Sequence, residues 1–134
     1  MEHDFDKVAL ETVNKFYDNY ANKDIEPLMN MLATEQPVYF LGSDAREAKN
    51  LDEARKMFLS EFEKISDVKL VLDDIKTLSL GDVLVITSTV TADTEIHGEK
   101  NTYPKLTSTV VLTQEQGAWK IQYMHSSFPS ANAT

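Results

Sequence analysis

The hydrophobic period of this chain changes once, after Ser66 and Asp67, and that change limits the folds open to it. Before this point, apolar residues recur at helical spacing. After it, they alternate with polar residues through four segments, as in half-buried strands. Helices concentrated early and strands concentrated late predict an α+β fold. We expect a curved antiparallel sheet wrapped around N-terminal helices, with the overall form of a cone.

Two helices are expected at the start of the chain. The first covers residues 4–21, where apolar side chains recur at helical spacing between charged ones. The pattern then breaks, and Asp24 offers a suitable N-cap for a second, shorter helix. The apolar side of that helix extends to Leu32, and Pro37 ends the helical stretch.

A short strand and a third helix follow. The strand is VYFLG, a run of β-branched and aromatic residues stopped by Gly42. The polar stretch SDAREAKN is expected to be a loop. Asn50, with Glu53 three residues later, resembles a capping box and opens the third helix. We expect the apolar stripe of this helix to end at Ile65.

Four longer strands are expected in the second half of the chain, at residues 68–80, 83–94, 102–113 and 118–128. Gly81, Gly98 and the segment QEQG supply the turns between them. Such short loops make consecutive strands antiparallel neighbours. With VYFLG, the sequence predicts five strands around three helices. Long strands that bend around helices leave an open mouth, which is a natural place for a ligand.

Size and charge exclude several classes of partner. The chain has 134 residues, which suits one domain with its core at about residues 5–129. Its net charge of −9 repels phosphate backbones, so we expect neither nucleic acid nor an anionic membrane as a partner. It has no cysteine, an acidic N-terminus and no apolar run long enough for a bilayer. We therefore expect a soluble, cytoplasmic protein.

The segment AWKIQYMHSSFP, near the C-terminus, predicts the wall of a pocket. Alternation along a strand puts Trp119, Ile121, Tyr123, His125 and Ser127 on one face, which changes from apolar to polar along its length. His125 can accept or donate a proton near neutral pH and is a candidate general base. The alternatives are a hydrogen-bonded core histidine and a structural serine at 127.

The first strand and the loop after it hold further candidates. Tyr39 and Phe40 alternate, so only one of them can point into the cavity. Asp44 and Glu47 could reach over its mouth as an acid or a base. The alternative for Asp44 is a turn-forming role, and for Glu47 a solvated carboxylate or an ion pair with Arg46.

A metal site is not expected. Glu95, His97 and Glu99 alternate and could share one side of a strand. Gly98 and the residues after it mark a turn, however, so this triplet fits a solvated hairpin tip better. Phosphate loops, dinucleotide fingerprints and zinc signatures are also missing from the sequence, and no cofactor is expected.

Three stretches together resemble the nuclear transport factor 2-like, or SnoaL-like, superfamily of the cystatin-like fold. FYDNYANKDIEPLMNMLA resembles its first two helices. VYFLGSDAREAKNLDEARKMF resembles the strand, Gly-Ser/Thr-Asp loop and third helix of one branch. GAWKIQYMHSSFP resembles the closing strand of that branch, which ends in His-x-Ser, and also that of the calcium/calmodulin-dependent kinase II association domain.

The resemblance leaves the activity open, because this fold hosts isomerases, cyclases, dehydratases, adaptors and oligomerisation modules. The ketosteroid isomerases of the superfamily use an Asp on the first strand and a Tyr on the first helix. Phe40 and Phe16 stand at the matching positions here, and phenylalanine cannot transfer a proton. A one-residue slip of the alignment would bring in Tyr17 or Tyr39 instead.

These observations predict a small-molecule-binding domain of the SnoaL-like type. Its ligand would contact Tyr39, Asp44, Tyr123, His125 and Ser127, with His125 and Asp44 as candidate catalytic groups. The resemblance also implies a homodimer formed through the outer face of the sheet. One alternative is an isomerase, cyclase or dehydratase with His125 as general base. Another is an association module whose pocket is vestigial.

Overall fold

A computed structural model of the chain describes residues 2–42 and 46–128, with side chains from residue 7 onward. Its helices are α1 (Glu2–Ala21), α2 (Ile25–Met29) and α3 (Leu51–Lys64). Its strands are β1 (Tyr39–Leu41), β2 (Glu47–Ala48), β3 (Ile65–Leu80), β4 (Val83–Ile96), β5 (Glu99–Glu115) and β6 (Ala118–Ser127). The helices precede the long strands, so the predicted α+β class is confirmed.

The strands form one curved, unclosed sheet in the order β2-β1-β6-β5-β4-β3. It has six strands rather than the five predicted, because the two-residue β2 adds to the edge beside β1. The sheet is also mixed rather than purely antiparallel, since β1 runs parallel to β6. All other neighbours are antiparallel, as their short loops require.

The second helix is shorter than predicted. Asp24 stands at the N-cap position of α2 but makes no side-chain capping bond. The helix ends at Met29, and Leu32 instead bridges to Ile121 in β6. The Ala33 amide donates a 2.8 Å hydrogen bond to the Ile121 carbonyl, and the Ile121 amide donates one of 2.8 Å to the Met31 carbonyl. These two bonds pair the segment with β6. Pairing with the sheet therefore replaces the last helical turn.

The third helix begins as predicted and ends differently. The Asn50 side chain accepts a 2.8 Å hydrogen bond from the Glu53 amide, which is half of a capping box. The Glu53 carboxylate accepts from the Lys49 amide, one residue earlier than the motif requires. At the other end, Ile65 already has an extended backbone, so α3 passes directly into β3.

The helices pack on one face of the sheet, which we call the concave face; the other is the convex face. Alternate residues of β4 point into the concave side, and Leu84 and Ile86 are fully or almost fully buried there. Phe16 of α1 and Phe58 of α3 meet them in one core. No helix in the described part of the chain is long and apolar enough to cross a membrane.

Candidate functional site

A bulge at Gln122 decides which side chains of β6 face the helices. In the pairing of β5 with β6, Leu112 stands opposite Ile121 and Val111 opposite Tyr123, so Gln122 is the extra residue. Ile121 is fully buried on the concave side. After the bulge the alternation is reversed, and Met124 and Ser126 are the residues that line the concave side.

The predicted pocket wall therefore lies on the wrong face. His125 stands opposite Thr109, and Ser127 opposite Thr107, on the convex side. The expectation that Tyr123, His125 and Ser127 continue the face of Ile121 is wrong, because one inserted residue moves every later side chain to the opposite face. A ligand role for these three residues on the convex side stays a prediction.

Tyr39 is also on the convex side. Its ring stacks on that of Tyr123, with centroids 6.0 Å apart and planes 16° apart. Its hydroxyl donates a hydrogen bond to Glu47, which raises the pKa of the Tyr39 phenol. Phe40 and Leu41 of this strand line the cavity and Tyr39 does not, so the prediction that Tyr39 lines it is wrong. Asp44 lies outside the described residues.

A cavity of about 380 Å³ lies between α1, α3 and the concave face. Its inner wall is aromatic: the Phe58 ring meets those of Phe16 and Phe40 edge-on, at 6.0 and 5.7 Å. Tyr103 and Phe128, with ring centroids 5.4 Å apart, also line it, and Phe128 is exposed. More than half of its described lining residues are apolar. Such a volume and lining are typical of small-molecule sites.

A row of hydroxyl groups crosses the concave face of the sheet and reaches the cavity at Ser126. Ser88, Ser108 and Ser126 are paired neighbours on β4, β5 and β6, so they form a row across three strands. Tyr17 shares a 3.0 Å hydrogen bond with Ser108, the central member of this row. Burial raises the pKa of Tyr17, so its phenol stays protonated at neutral pH. Tyr17 and Ser126 both line the cavity and can hydrogen-bond to a ligand oxygen.

A second polar group joins α1 to α3. The Tyr20 hydroxyl donates a 2.9 Å hydrogen bond to Glu61 Oε1. Burial, followed by the charge of Glu61, raises the pKa of Tyr20, while Arg46 opposes that shift. Arg46 and Lys64 line the same cavity. Of the described residues around it, Glu61 alone carries a carboxylate.

Sequence reasoning missed Glu61, although a signal was present. Glu61 stands three residues after Phe58 and seven after Ala54, which puts it on the buried stripe of α3. A charged residue at such a position needs a partner inside the fold. Ser126 and Met124 were missed for another reason, since the sequence gives no sign of the bulge at Gln122.

The positions that match the ketosteroid isomerases face the cavity. Phe16 and Phe40 both line it, so neither can supply the proton transfer of those enzymes. Of the two residues that a one-residue slip of the alignment would bring in, Tyr17 lines the cavity and Tyr39 does not.

The β4–β5 hairpin carries Glu95, His97 and Glu99, whose spacing could suit metal ligands. Glu95 ends up opposite Lys100 on the neighbouring strand, and the turn lies at His97 and Gly98, both with positive φ. This is the expected hairpin tip. Within residues 2–42 and 46–128, no group of three or more histidine or carboxylate side chains is arranged to hold a metal ion.

Comparison with known proteins gives a family and a fold. The sequence profile of the SnoaL-like domain family matches residues 9–131. A proposed dehydratase of the nuclear transport factor 2-like family from Streptomyces avermitilis superposes with a TM-score of 0.89 and 17% identity, over 98% of this chain and 100% of that one. No curated protein sequence matches the chain significantly.

Two further solved structures illustrate the range of proteins with this fold. A proposed scytalone dehydratase from Novosphingobium aromaticivorans gives a TM-score of 0.81 at 10% identity, over 92% of this chain and 83% of that one. A proposed calcium/calmodulin-dependent kinase II association domain from Thiobacillus denitrificans gives 0.74 at 16% identity, over 89% and 93%. At such identities, the likeness concerns the fold alone.

Proposed function

The chain belongs to the SnoaL-like domain family, and from that membership and the chemistry of the cavity we propose that it binds a small, largely apolar molecule carrying oxygen groups. The observation that carries this proposal is the cavity of about 380 Å³, with its aromatic inner wall and its two hydrogen-bonded phenols. Apolar walls supply affinity through burial of apolar surface. The few polar groups then fix the orientation of the ligand.

The polar groups of the cavity are of two kinds. Tyr17 and Ser126 are neutral and suit a carbonyl or hydroxyl oxygen. Glu61, Arg46 and Lys64 are charged, and the two cations are exposed. A ligand with an apolar ring body and a neutral oxygen fits this lining.

Thermal unfolding with two-ring ketones and phenols, such as 1-tetralone and 2-naphthol, tests the proposal. A ligand that binds only the folded state stabilises it by about 2.7 kcal/mol at a hundred times its Kd. Met124→Trp fills the cavity and should abolish the shift. Tyr123→Trp changes the neighbouring residue on the convex face and should preserve it, as should His125→Ala. An equal loss in Met124→Trp and Tyr123→Trp, or no shift with any compound, would contradict the proposal.

A second proposal concerns the convex face, which supports self-association. A row of apolar and aromatic side chains crosses five strands there: Tyr39, Tyr123, Val111, Val85 and Leu78. Leu78 is 55% exposed at one end of this row, and Leu80 is equally exposed nearby. A row of half-buried apolar side chains that ends in exposed leucines is typical of protein interfaces. We propose that a second copy of the chain covers it to form a homodimer.

Sedimentation velocity over a range of concentrations tests this second proposal. Leu78→Glu should convert a dimer to a monomer, because it places a charge within the apolar contact. Leu59, 41% exposed on α3, offers a matched control, and Leu59→Glu should remain dimeric. A wild-type chain that is monomeric at every concentration would overturn the proposal. A dimer in a chain that binds none of the compounds would favour an association module with a vestigial pocket.

A further inference from the structure

The described lining of the cavity differs in charge from the chain as a whole. The chain carries 13 basic and 22 acidic residues, for a net charge of −9. The lining holds two cationic side chains, Arg46 and Lys64, and the carboxylate of Glu61, which leaves a net charge of +1. A bound ligand responds mainly to such nearby charges, because salt screens those beyond about 8 Å at physiological ionic strength. The cavity therefore attracts an anion although the chain is acidic.

The two cations approach the cavity from different elements and lie around the same side chains. Lys64 is the last residue of α3 and stands three residues after Glu61, so the two are neighbours on successive turns of that helix. Arg46 precedes β2. Burial raises the pKa of Tyr20, and the positive charge of Arg46 opposes that shift. Because the Tyr20 hydroxyl donates to Glu61 at 2.9 Å, the charge of Arg46 acts close to this carboxylate as well.

The chemistry of both cations suits an acidic ligand. Lys64 forms no ion pair with another residue in the described part of the chain. A guanidinium has several N–H donors in a planar fork, so Arg46 can bind a ligand oxygen while it contacts a neighbouring side chain. Both side chains are exposed. A carboxylate bound there keeps part of its hydration and avoids much of the cost of burying a charge.

We propose that the ligands of this cavity are apolar ring compounds that carry a carboxylate, which Arg46 and Lys64 bind while the rings pack against the aromatic inner wall. This inference rests on the proposed ligand-binding function and names the ligand class. Burial of the rings supplies most of the affinity. The carboxylate selects among molecules of the same shape, and Tyr17 and Ser126 remain for a neutral oxygen elsewhere on the ligand.

Three compounds with one ring body test this proposal: 2-naphthoic acid, 2-naphthamide and 2-naphthylmethylamine. At neutral pH the first is an anion, the second is neutral and the third is a cation. Isothermal titration calorimetry measures the Kd of each. We expect the acid to bind about fivefold more tightly than the amide, which is the upper range for an exposed ion pair, and the amine to bind most weakly. Added NaCl should weaken binding of the acid and leave that of the amide unchanged.

Substitution of the two cations should change the ratio of the Kd values for the amide and the acid. Lys64→Gln and Arg46→Gln should each lower this ratio, and the double variant should bring it to one. Lys56→Gln removes the same charge from an exposed position of α3 outside the cavity lining and should keep the ratio of the wild type. An equal fall of the ratio in Lys56→Gln, or an unchanged ratio in the double variant, would overturn the proposal.

Two controls separate this role from others. Met124→Trp fills the cavity and should abolish binding of the acid; persistent binding would mean attraction to the surface, and would overturn the proposal. A lysine at the end of a helix also stabilises the helix C-terminus. If that were the only role of Lys64, Lys64→Gln would lower the thermal unfolding temperature and leave the Kd ratio unchanged, which would overturn the assignment of Lys64 to the ligand.

Failure of this proposal can be told apart from failure of the binding proposal. Equal Kd values for the acid and the amide, or tightest binding of the amine, would overturn the acidic ligand class and leave the cavity as a ligand site. Absence of binding by all three compounds, with no thermal shift from 1-tetralone or 2-naphthol, would overturn both proposals.

Discussion

Both faces of the sheet carry hydroxyl groups, but the surroundings of these groups differ between the faces. On the concave face, Ser88 and Ser108 are buried beneath the helices, and Tyr17 bonds to the second of them. On the convex face, Thr87 and Thr109 stand in the same two strands, half-buried, on the side opposite to the described helices. A hydroxyl thus becomes part of a cavity or part of an outer surface according to which side the helices cover.

In strand β6, a single inserted residue decides which side chains face the cavity. Met124 and His125 are consecutive, yet the first lines the cavity and the second lies on the opposite face. Without the bulge at Gln122, the continued alternation would exchange them. The identity of the cavity residues therefore depends on one inserted residue in the strand.

Deletion of Gln122 tests this dependence most directly and should have the largest effect. It forces either Ile121 or the residues after the bulge to change faces, which exposes apolar side chains and buries polar ones. We expect a loss of unfolding free energy above the roughly 3–5 kcal/mol of a buried Phe→Ala change. Urea denaturation measures it. Gln122→Ala keeps the bulge and should cost little; comparable losses in both variants would contradict this account.

Neighbouring aromatic residues of β1 offer the next test. Phe40 is 2% exposed in the cavity wall, and Phe40→Ala should destabilise the protein by about 3–5 kcal/mol. In the monomer, at protein concentrations below any dimerisation, Tyr39→Ala removes a ring stacked on the convex face and should cost about 1 kcal/mol. Equal losses in urea denaturation would mean that the two faces are equally buried in solution, as a tight dimer would make them.

Hydroxyl groups on the two faces should differ in how much they contribute to the unfolding free energy. Tyr17→Phe leaves the Ser108 hydroxyl buried without its partner, and we expect a loss of about 1–3 kcal/mol. Thr109→Val on the convex face should change stability by no more than about 0.5 kcal/mol. Chemical denaturation of both variants checks the difference, and the reverse order would contradict the assignment of faces.

The smallest effect concerns Glu115, at the end of β5, which bonds to the segment before β1. Glu115 accepts hydrogen bonds from the Thr34 and Glu35 amides, each at 2.9 Å at the nearest, and these lower its pKa from the ordinary 4.5. Its stabilising contribution is therefore present above pH 4.5 and is lost as the pH falls through the lowered value. Thermal unfolding of wild type and Glu115→Gln should converge at low pH. A constant difference would contradict the prediction.

Much of the fold could be predicted from the sequence because its signals are local. The period change, the Asn50 cap and the turns at Gly81 and Gly98 each depend on a few neighbouring residues, and all are present in the structure. The prediction from the sequence is wrong where a residue pairs with a distant part of the chain. Leu32 lies outside α2, and not in it as predicted, because it pairs with Ile121 of β6.

The candidate site was less predictable, since it depends on which residues face inward. Glu61 could have been found, because its spacing on α3 puts it on the buried stripe. The pairing of Glu61 with Tyr20, 41 residues away, could not. Strict alternation through Gln122 predicts the wrong face for the residues of β6 that follow it, because it takes no account of the inserted residue.

The sequence by itself determined the α+β class, the order of the helices and long strands, and the family, because periodicity, caps and turns are properties of adjacent residues. Only the tertiary structure decided that Met124 and Ser126, and not His125, line the cavity. Whether a strand alternates strictly or takes in an extra residue depends on its pairing with β5, and that pairing joins residues distant in the chain.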